Sequence, residues 1–156
     1  MNDNLFLNSS NELTSANIIQ QQISQKEFEI QLVDINSRYL TSQDASSYYY
    51  NQQKKQLLEI EISGLKIQRD EHINAALMYA LTLAEKELME HTSFSSASII
   101  IANICSFLKI QSIPFTASLP VFLKISTLHS RLQTFPLEFT SLKRELANLK
   151  IQLGVP

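Results

Sequence analysis

The strongest constraint on the fold is a heptad pattern in the C-terminal part of the chain. From Val121 to Leu153, apolar residues follow one another in alternating steps of four and three, at ten successive positions. This spacing puts them along one side of a helix and is typical of the core positions of a coiled coil. The ten residues are Val121, Ile125, Leu128, Leu132, Phe135, Phe139, Leu142, Leu146, Leu149 and Leu153.

Pro136 interrupts this repeat, and a proline inside a helix costs about 3 kcal/mol, so we expect a kink or a fresh helix start there. After Pro136, Glu138 and Glu145 occupy g positions, and Lys143 and Lys150 occupy e positions. In a parallel coiled coil, a g side chain meets the e side chain five residues further on in the partner. Both pairs would therefore join glutamate to lysine, which favours a neighbouring helix.

The N-terminal half predicts long helices. Residues 1–11 are polar and are expected to be frayed. The first helix is predicted over Glu12–Leu40, as an amphipathic helix whose apolar residues recur in steps of three, four and seven. They are Ile19, Ile23, Ile30 and Val33, and Phe28, Leu32 and Ile35 widen the stripe.

A second long helix is predicted over Tyr48–His91 and a third over Ser96–Gln111, before Pro114. Residues 57–67 leave an alternative open, because Leu58-Glu-Ile-Glu-Ile62 alternates strictly before Ser63-Gly64, as a short hairpin would. Helix is the preferred interpretation, since no other strand is evident for pairing.

These patterns predict an all-α, elongated coiled-coil subunit with long antiparallel helices and a C-terminal heptad helix. We divide it into a flexible N-terminus (1–11), a long-helix coiled-coil region (12–91) and a C-terminal helical region with the heptad seam (92–156).

Composition argues against most enzyme classes. The chain has two glycines, Gly64 and Gly154, whereas P-loops, dinucleotide-binding turns and nucleophile elbows each need two or more glycines close together. One cysteine, Cys105, and three scattered histidines are a poor supply for a zinc site. We therefore expect no catalytic residue, no metal site and no cofactor.

The net charge of −2 implies no general attraction to nucleic acid. The charges are uneven, with −6 over residues 1–90 and +4 over residues 91–156. Either the two parts face different surroundings, or the surface charges are spaced by chance.

The most apolar run, Ile99–Leu108, is too short to span a bilayer, which needs about twenty residues. Because the chain has a single cysteine, we expect an intracellular protein.

Three consecutive tyrosines, Tyr48 to Tyr50, lie beside Lys54 and Lys55. Aromatic side chains near lysines can form a stacking platform for single-stranded nucleic acid. Successive helical residues point about 100° apart, however, so these three cannot form one flat platform. We expect them to line a contact between helices instead.

One set of residues resembles the subunit 2 family of the augmin (HAUS) complex. In that family a Gln-Lys-x-x-Glu-Ile-x-Leu helix is followed by an aspartate, then by an aromatic pair leading into x-x-Gln-Lys. Ser47-Tyr48 depart from the His-Pro that is common there. The matching residues are Gln25, Lys26, Glu29, Ile30, Leu32, Asp44, Tyr49, Tyr50, Gln53 and Lys54.

The resemblance implies a non-catalytic structural subunit of a hetero-oligomeric coiled-coil complex that supports branching microtubule nucleation and spindle assembly. It implies other augmin subunits as direct partners, microtubules and the γ-tubulin ring complex as indirect ones, and a location in the cytoplasm, at the cytoskeleton and spindle. The candidate partner interface comprises Ile19, Ile23, Ile30, Val33, Tyr49, Tyr50, Leu128, Leu132, Phe139, Leu142, Leu146, Leu149 and Leu153.

A rival hypothesis belongs to another class. The apolar stretch Ile99–Leu108 beside Lys109 is also what a self-contained helical bundle would use as a membrane-surface or tethering adaptor.

Overall fold

The structure, a computed structural model, describes residues 2–40, 44–89, 95–110, 144–148 and 151. Its elements are α1 (Asn2–Arg38), α2 (Ala45–Met89) and α3 (Ser95–Ile110). Residues 144–148 are helical as well, and the described residues contain no strand. The prediction of an all-α protein with long antiparallel helices is confirmed for this part of the chain.

Helix α1 begins ten residues before the predicted start at Glu12, so the segment expected to be frayed is helical from Asn2. Polar side chains hold this first part of α1 against α2. The hydroxyl of Ser9 is buried and donates to the carbonyl oxygen of Ala76 at 2.8 Å, and Glu12 pairs with His72. A search for apolar periodicity overlooks such a segment, because its anchors are a serine and a glutamate.

Helix α2 runs without interruption through residues 57–67, so the hairpin alternative is wrong and the helical interpretation is confirmed. Gly64 lies in the middle of α2, and a Cβ atom added to it would find nothing within 4 Å. The alternation of apolar and acidic residues from Leu58 to Ile62 therefore does not mark a β-strand. It places Leu58 and Ile62 in a buried contact and leaves Ile60 exposed.

Helix α3 starts where Glu87 of α2 meets it. The backbone N–H of Ala97, in the first turn of α3, donates to the Oε2 atom of Glu87 at 3.4 Å. First-turn N–H groups have no partner within their own helix, and a carboxylate is favoured near that positive end. Glu87 is itself buried, so this polar contact fixes the start of α3 inside the protein.

The contacts divide the chain into two units, each with part of α1 and part of α2. The hairpin unit is Ser15–Glu71, and the core unit comprises Met1–Thr14 and His72–Pro156. The division predicted from sequence, at residues 11/12 and 91/92, stays a prediction.

In the hairpin unit the two helices run antiparallel. As positions on α1 fall, their partners on α2 rise, which only antiparallel helices allow. The four side-chain pairs are Ser37 with Asn51, Asp34 with Lys55, Lys26 with Glu61 and Gln20 with Arg69.

Among the residues that the structure describes, the core unit contains nearly all of the fully buried large side chains. All three helices contribute to it, so an apolar side chain there can be covered from more than one direction. The large apolar side chains with 2% exposure or less in the described part of this unit are Ile73, Leu77, Leu81, Leu83, Ile100, Ile101, Ile104 and Leu146.

Candidate interaction surface

The contact between the two helices of the hairpin unit, which we call the inner seam, is narrow and partly polar. Its buried apolar residues are few, and two polar residues, Gln20 and Arg69, are buried beside them. The apolar members are Ala16, Ile23 and Val33 on α1, and Leu58 and Ile62 on α2.

Arg69 is the most deeply placed charge of the inner seam, at 5% exposure. Its guanidinium donates to Gln20 Oε1 at 2.8 Å and, through Nε, to Asp70 Oδ1 at 3.0 Å. A guanidinium this deeply buried is tolerated only when its donors are satisfied. A slip of one helix turn would separate Arg69 from Gln20, so the pair favours a single register.

Two ion pairs lie at the edges of the seam, Lys26 with Glu61 at 2.8 Å and Lys55 with Asp34 at 3.0 Å. The hydrogen bond to Glu61 raises the pKa of Lys26 above its ordinary value of 10.5. The hydrogen bond to Asp34 likewise raises the pKa of Lys55. Both lysines are exposed enough to be solvated, so the pairs guide the alignment of the helices more than they strengthen it.

The outward side of α1 carries a second apolar row, which we call the α1 outer stripe. Its members are spaced by four, three and four residues, the heptad spacing, and are 44 to 81% exposed. At 100° per residue, Phe28, Leu32 and Ile35 lie about 180° from the inner seam. The α1 outer stripe comprises Phe28, Leu32, Ile35 and, just past the helix end, Tyr39.

The outward side of α2 carries a matching row, the α2 outer stripe, whose members are 58 to 69% exposed. It too keeps heptad spacing, with Gln53 and Gly64 filling the intervening core positions. By the same angular count its centre lies about 150° from Leu58, Ile62 and Arg69. The α2 outer stripe comprises Tyr50, Leu57, Ile60 and Ile67.

The residues proposed from sequence as a partner interface separate into groups. Ile23 and Val33 are buried in the chain's own inner seam, while Ile19 and Ile30 are half-buried. Tyr49 and Tyr50 are exposed, each at 66%. Whether these residues meet a partner stays a prediction.

Of the C-terminal interface candidates, Leu146 is buried within the chain at 1% exposure. The others lie outside the described residues, as does most of the predicted heptad helix. They are Leu128, Leu132, Phe139, Leu142, Leu149 and Leu153.

Sequence reasoning named Phe28, Leu32 and Ile35 only as a widening of the first stripe. In the structure they are a separate row on the opposite side of α1, so α1 is apolar on two sides rather than amphipathic. The signal was present in the sequence, since residues 28, 32, 35 and 39 carry their own heptad spacing.

An open groove of about 450 Å³ lies between α1 and α2 in the hairpin unit, next to Gly64. Its walls carry three glutamine amides, the carboxylate of Glu29 and the ion pair of Lys26 with Glu61, which offer hydrogen-bond donors and acceptors. The lining residues are Gln22, Gln25, Lys26, Glu29, Glu61, Gly64, Leu65 and Gln68.

No group of three or more His, Cys, Asp or Glu side chains that could hold a metal ion occurs in the described ranges. Among the helices that the structure describes, none combines the length and the apolar character needed to cross a membrane. Comparison with protein families, with curated proteins and with solved structures finds no match to this chain.

Proposed function

We propose that the protein is a non-catalytic structural subunit of a hetero-oligomeric coiled-coil complex. The observation that carries the proposal is the pair of exposed heptad rows on the outward sides of the hairpin unit. Large apolar side chains at heptad spacing are the surface that a helix of another chain covers, and an apolar patch of several hundred Å² on a soluble protein marks an interaction site.

Within this class, an augmin-like subunit is the specific form of the proposal. It rests on the resemblance of residues 25–32 and 44–54, which fall in α1 and at the start of α2. On this proposal the direct partners are augmin subunits, the γ-tubulin ring complex and microtubules are reached through them, and the protein acts at the spindle.

Affinity purification of the tagged full chain from dividing cells of its source, followed by mass spectrometry, tests both levels. We expect coiled-coil proteins in stoichiometric amounts, and augmin subunits with γ-tubulin for the specific form. Isolation of the chain alone, as a stable monomer, would contradict the general proposal. Isolation with unrelated coiled-coil proteins would contradict only the augmin-like form.

The alternative hypothesis, a membrane-surface adaptor, is disfavoured by the burial of the apolar side chains of α3. It needs a free apolar face on α3, whereas Ala97, Ile100, Ile101, Ile104 and Leu108 are buried. Among the α3 side chains that the structure describes, Ile99 is the large apolar one that is exposed, and one such residue holds a protein on a bilayer only weakly.

A further inference from the structure

The structure describes one position of the C-terminal heptad row, Leu146, within the helical residues 144–148. Leu146 is 1% exposed. The division by contacts places it in the core unit. The structure therefore shows, at this position, whether the row is open or covered when the chain is alone.

Burial around Leu146 is one-sided. Arg144, Ala147 and Asn148 are exposed, and at 100° per residue they lie about 100–160° from Leu146. Ile151, about 140° away at helical spacing, is 73% exposed. The heptad side of this segment therefore faces inward, as the apolar side of a helix does in a folded domain.

The heptad residues of the hairpin unit show what an open row looks like. Leu32 is 44% exposed and Ile60 is 69% exposed. Leu146 instead has the burial of core residues such as Leu77 and Ile100, at 2% and 1%. A helix of another chain could reach Leu146 only if the present contact opened and returned that apolar surface to water.

Heptad spacing is compatible with a contact inside one chain. It requires a neighbouring helix but does not specify which chain supplies that helix. In helical bundles, helices of a single chain pack through the same core positions. The pattern that predicted a partner interface at Leu146 therefore fits an intrachain contact equally well, and the observed burial decides between the two.

We infer that the Leu146 side of the C-terminal helical segment is an intrachain docking surface, which packs against the chain's own core unit and is closed to a partner. This assignment differs from the partner interface predicted from sequence, which included Leu146. It does not depend on the proposed function, but it restricts it, because partners then bind through other surfaces of the chain.

Thiol labelling of the purified full chain tests this assignment. Cys105, the chain's single cysteine, is first replaced by alanine, so that Leu146→Cys introduces the only thiol. The matched controls are Ala147→Cys and Ile151→Cys in the same background, because both positions are exposed and close to Leu146 in the chain.

We expect Leu146→Cys to react with a soluble disulfide reagent at least about a hundredfold more slowly than both controls, and as fast as they do in urea. A thiol in a packed interior reacts only when the structure opens. Fast labelling of Leu146→Cys in the folded chain would overturn the inference. So would protection that grows with protein concentration, since it would place the contact between two copies.

Urea unfolding of the isolated chain gives a second readout. Leu146→Ala should lower the unfolding midpoint by about 1 M or more, because it empties a packed site. Ile151→Ala removes an exposed side chain and should shift the midpoint by no more than about 0.3 M. An unchanged midpoint for Leu146→Ala would contradict the intrachain contact.

The same labelling in a co-purified complex separates this inference from the proposed function. If Leu146→Cys is protected in the free chain and in the complex, both stand. If protection appears only in the complex, Leu146 is a partner contact, so the inference is wrong while the proposed function stands. If no partner co-purifies, the proposed function fails, and the free chain alone decides the inference.

Discussion

The core unit and the hairpin unit are built from the same two long helices but bury their side chains differently. Among the described residues, eight of the nine large apolar side chains with 2% exposure or less lie in the core unit, and the hairpin unit contains one, Ile23. Three helices can surround a side chain, whereas two helices cover only the sides on which they touch. In the hairpin unit, polar pairs therefore take over the alignment of the helices, and apolar rows are left outside.

The largest expected effect comes from emptying the core unit. Leu81→Ala removes a fully buried side chain and should lower the free energy of unfolding by about 2–5 kcal/mol. Leu58→Ala in the inner seam should cost clearly less, because its surroundings are open on one side. Urea unfolding, with hydrogen exchange to assign the effect to a unit, measures both. If both variants lost the same free energy of unfolding, the proposed difference in packing between the two units would be wrong.

The next effect concerns the polar alignment of the hairpin unit. Gln20→Ala leaves a buried donor of Arg69 without its acceptor and should cost about 1–3 kcal/mol. The double variant Gln20→Leu with Arg69→Met should recover most of that loss, since a buried polar pair can be replaced by apolar residues of similar size. A double-mutant cycle from thermal unfolding of Gln20→Leu, Arg69→Met and the double variant gives the coupling. Additive losses would show that Arg69 and Gln20 act independently.

A smaller change, in the opposite direction, is expected at Gly64. Gly64→Ala should stabilise the hairpin unit by about 0.5–1 kcal/mol, because alanine is the better helix former and its methyl group meets empty space. Hydrogen exchange of residues in the middle of α2 is the measurement. Faster exchange in the variant would mean that the glycine is needed where it stands.

The smallest effect is a pH dependence from the two ion pairs. Because the pKa values of Lys26 and Lys55 are raised above 10.5 in the folded protein, their stabilisation is complete below that pH. It is lost as pH rises through the raised values. Thermal unfolding from pH 9 to pH 12 should show a steeper decline for the unaltered chain than for Lys26→Met/Lys55→Met. The control Lys54→Met removes another exposed lysine of α2 and should keep the steep decline.

Sequence reasoning came close to the helix ends for α2 and α3. The predicted bounds Tyr48–His91 and Ser96–Gln111 differ by one to three residues from those observed. It missed the start of α1, because Ser9 and Glu12 hold that segment through polar contacts with residues of α2. A contact partner sixty or more residues away cannot be recognised from local periodicity.

The candidate interaction surface also could not be predicted from local periodicity. From the sequence, the apolar residues of α1 form one stripe, in which Leu32 and Ile35 widen the row of Ile23 and Val33, and the partner interface is predicted on that row. The structure buries Ile23 and Val33 inside the chain and exposes Leu32 and Ile35. Both rows have helical spacing, so periodicity alone could not rank them.

The order of residues alone predicted that the described chain is all-α, favoured helix over a hairpin for residues 57–67, and contains the heptad spacing of both outer stripes. Only the tertiary structure decided which row is covered from within and which faces outward. The physical reason is that the pattern along a helix is a local property. Burial depends on where the second helix lies, and the pairing of Gln20 with Arg69 and of Asp34 with Lys55 fixes that position.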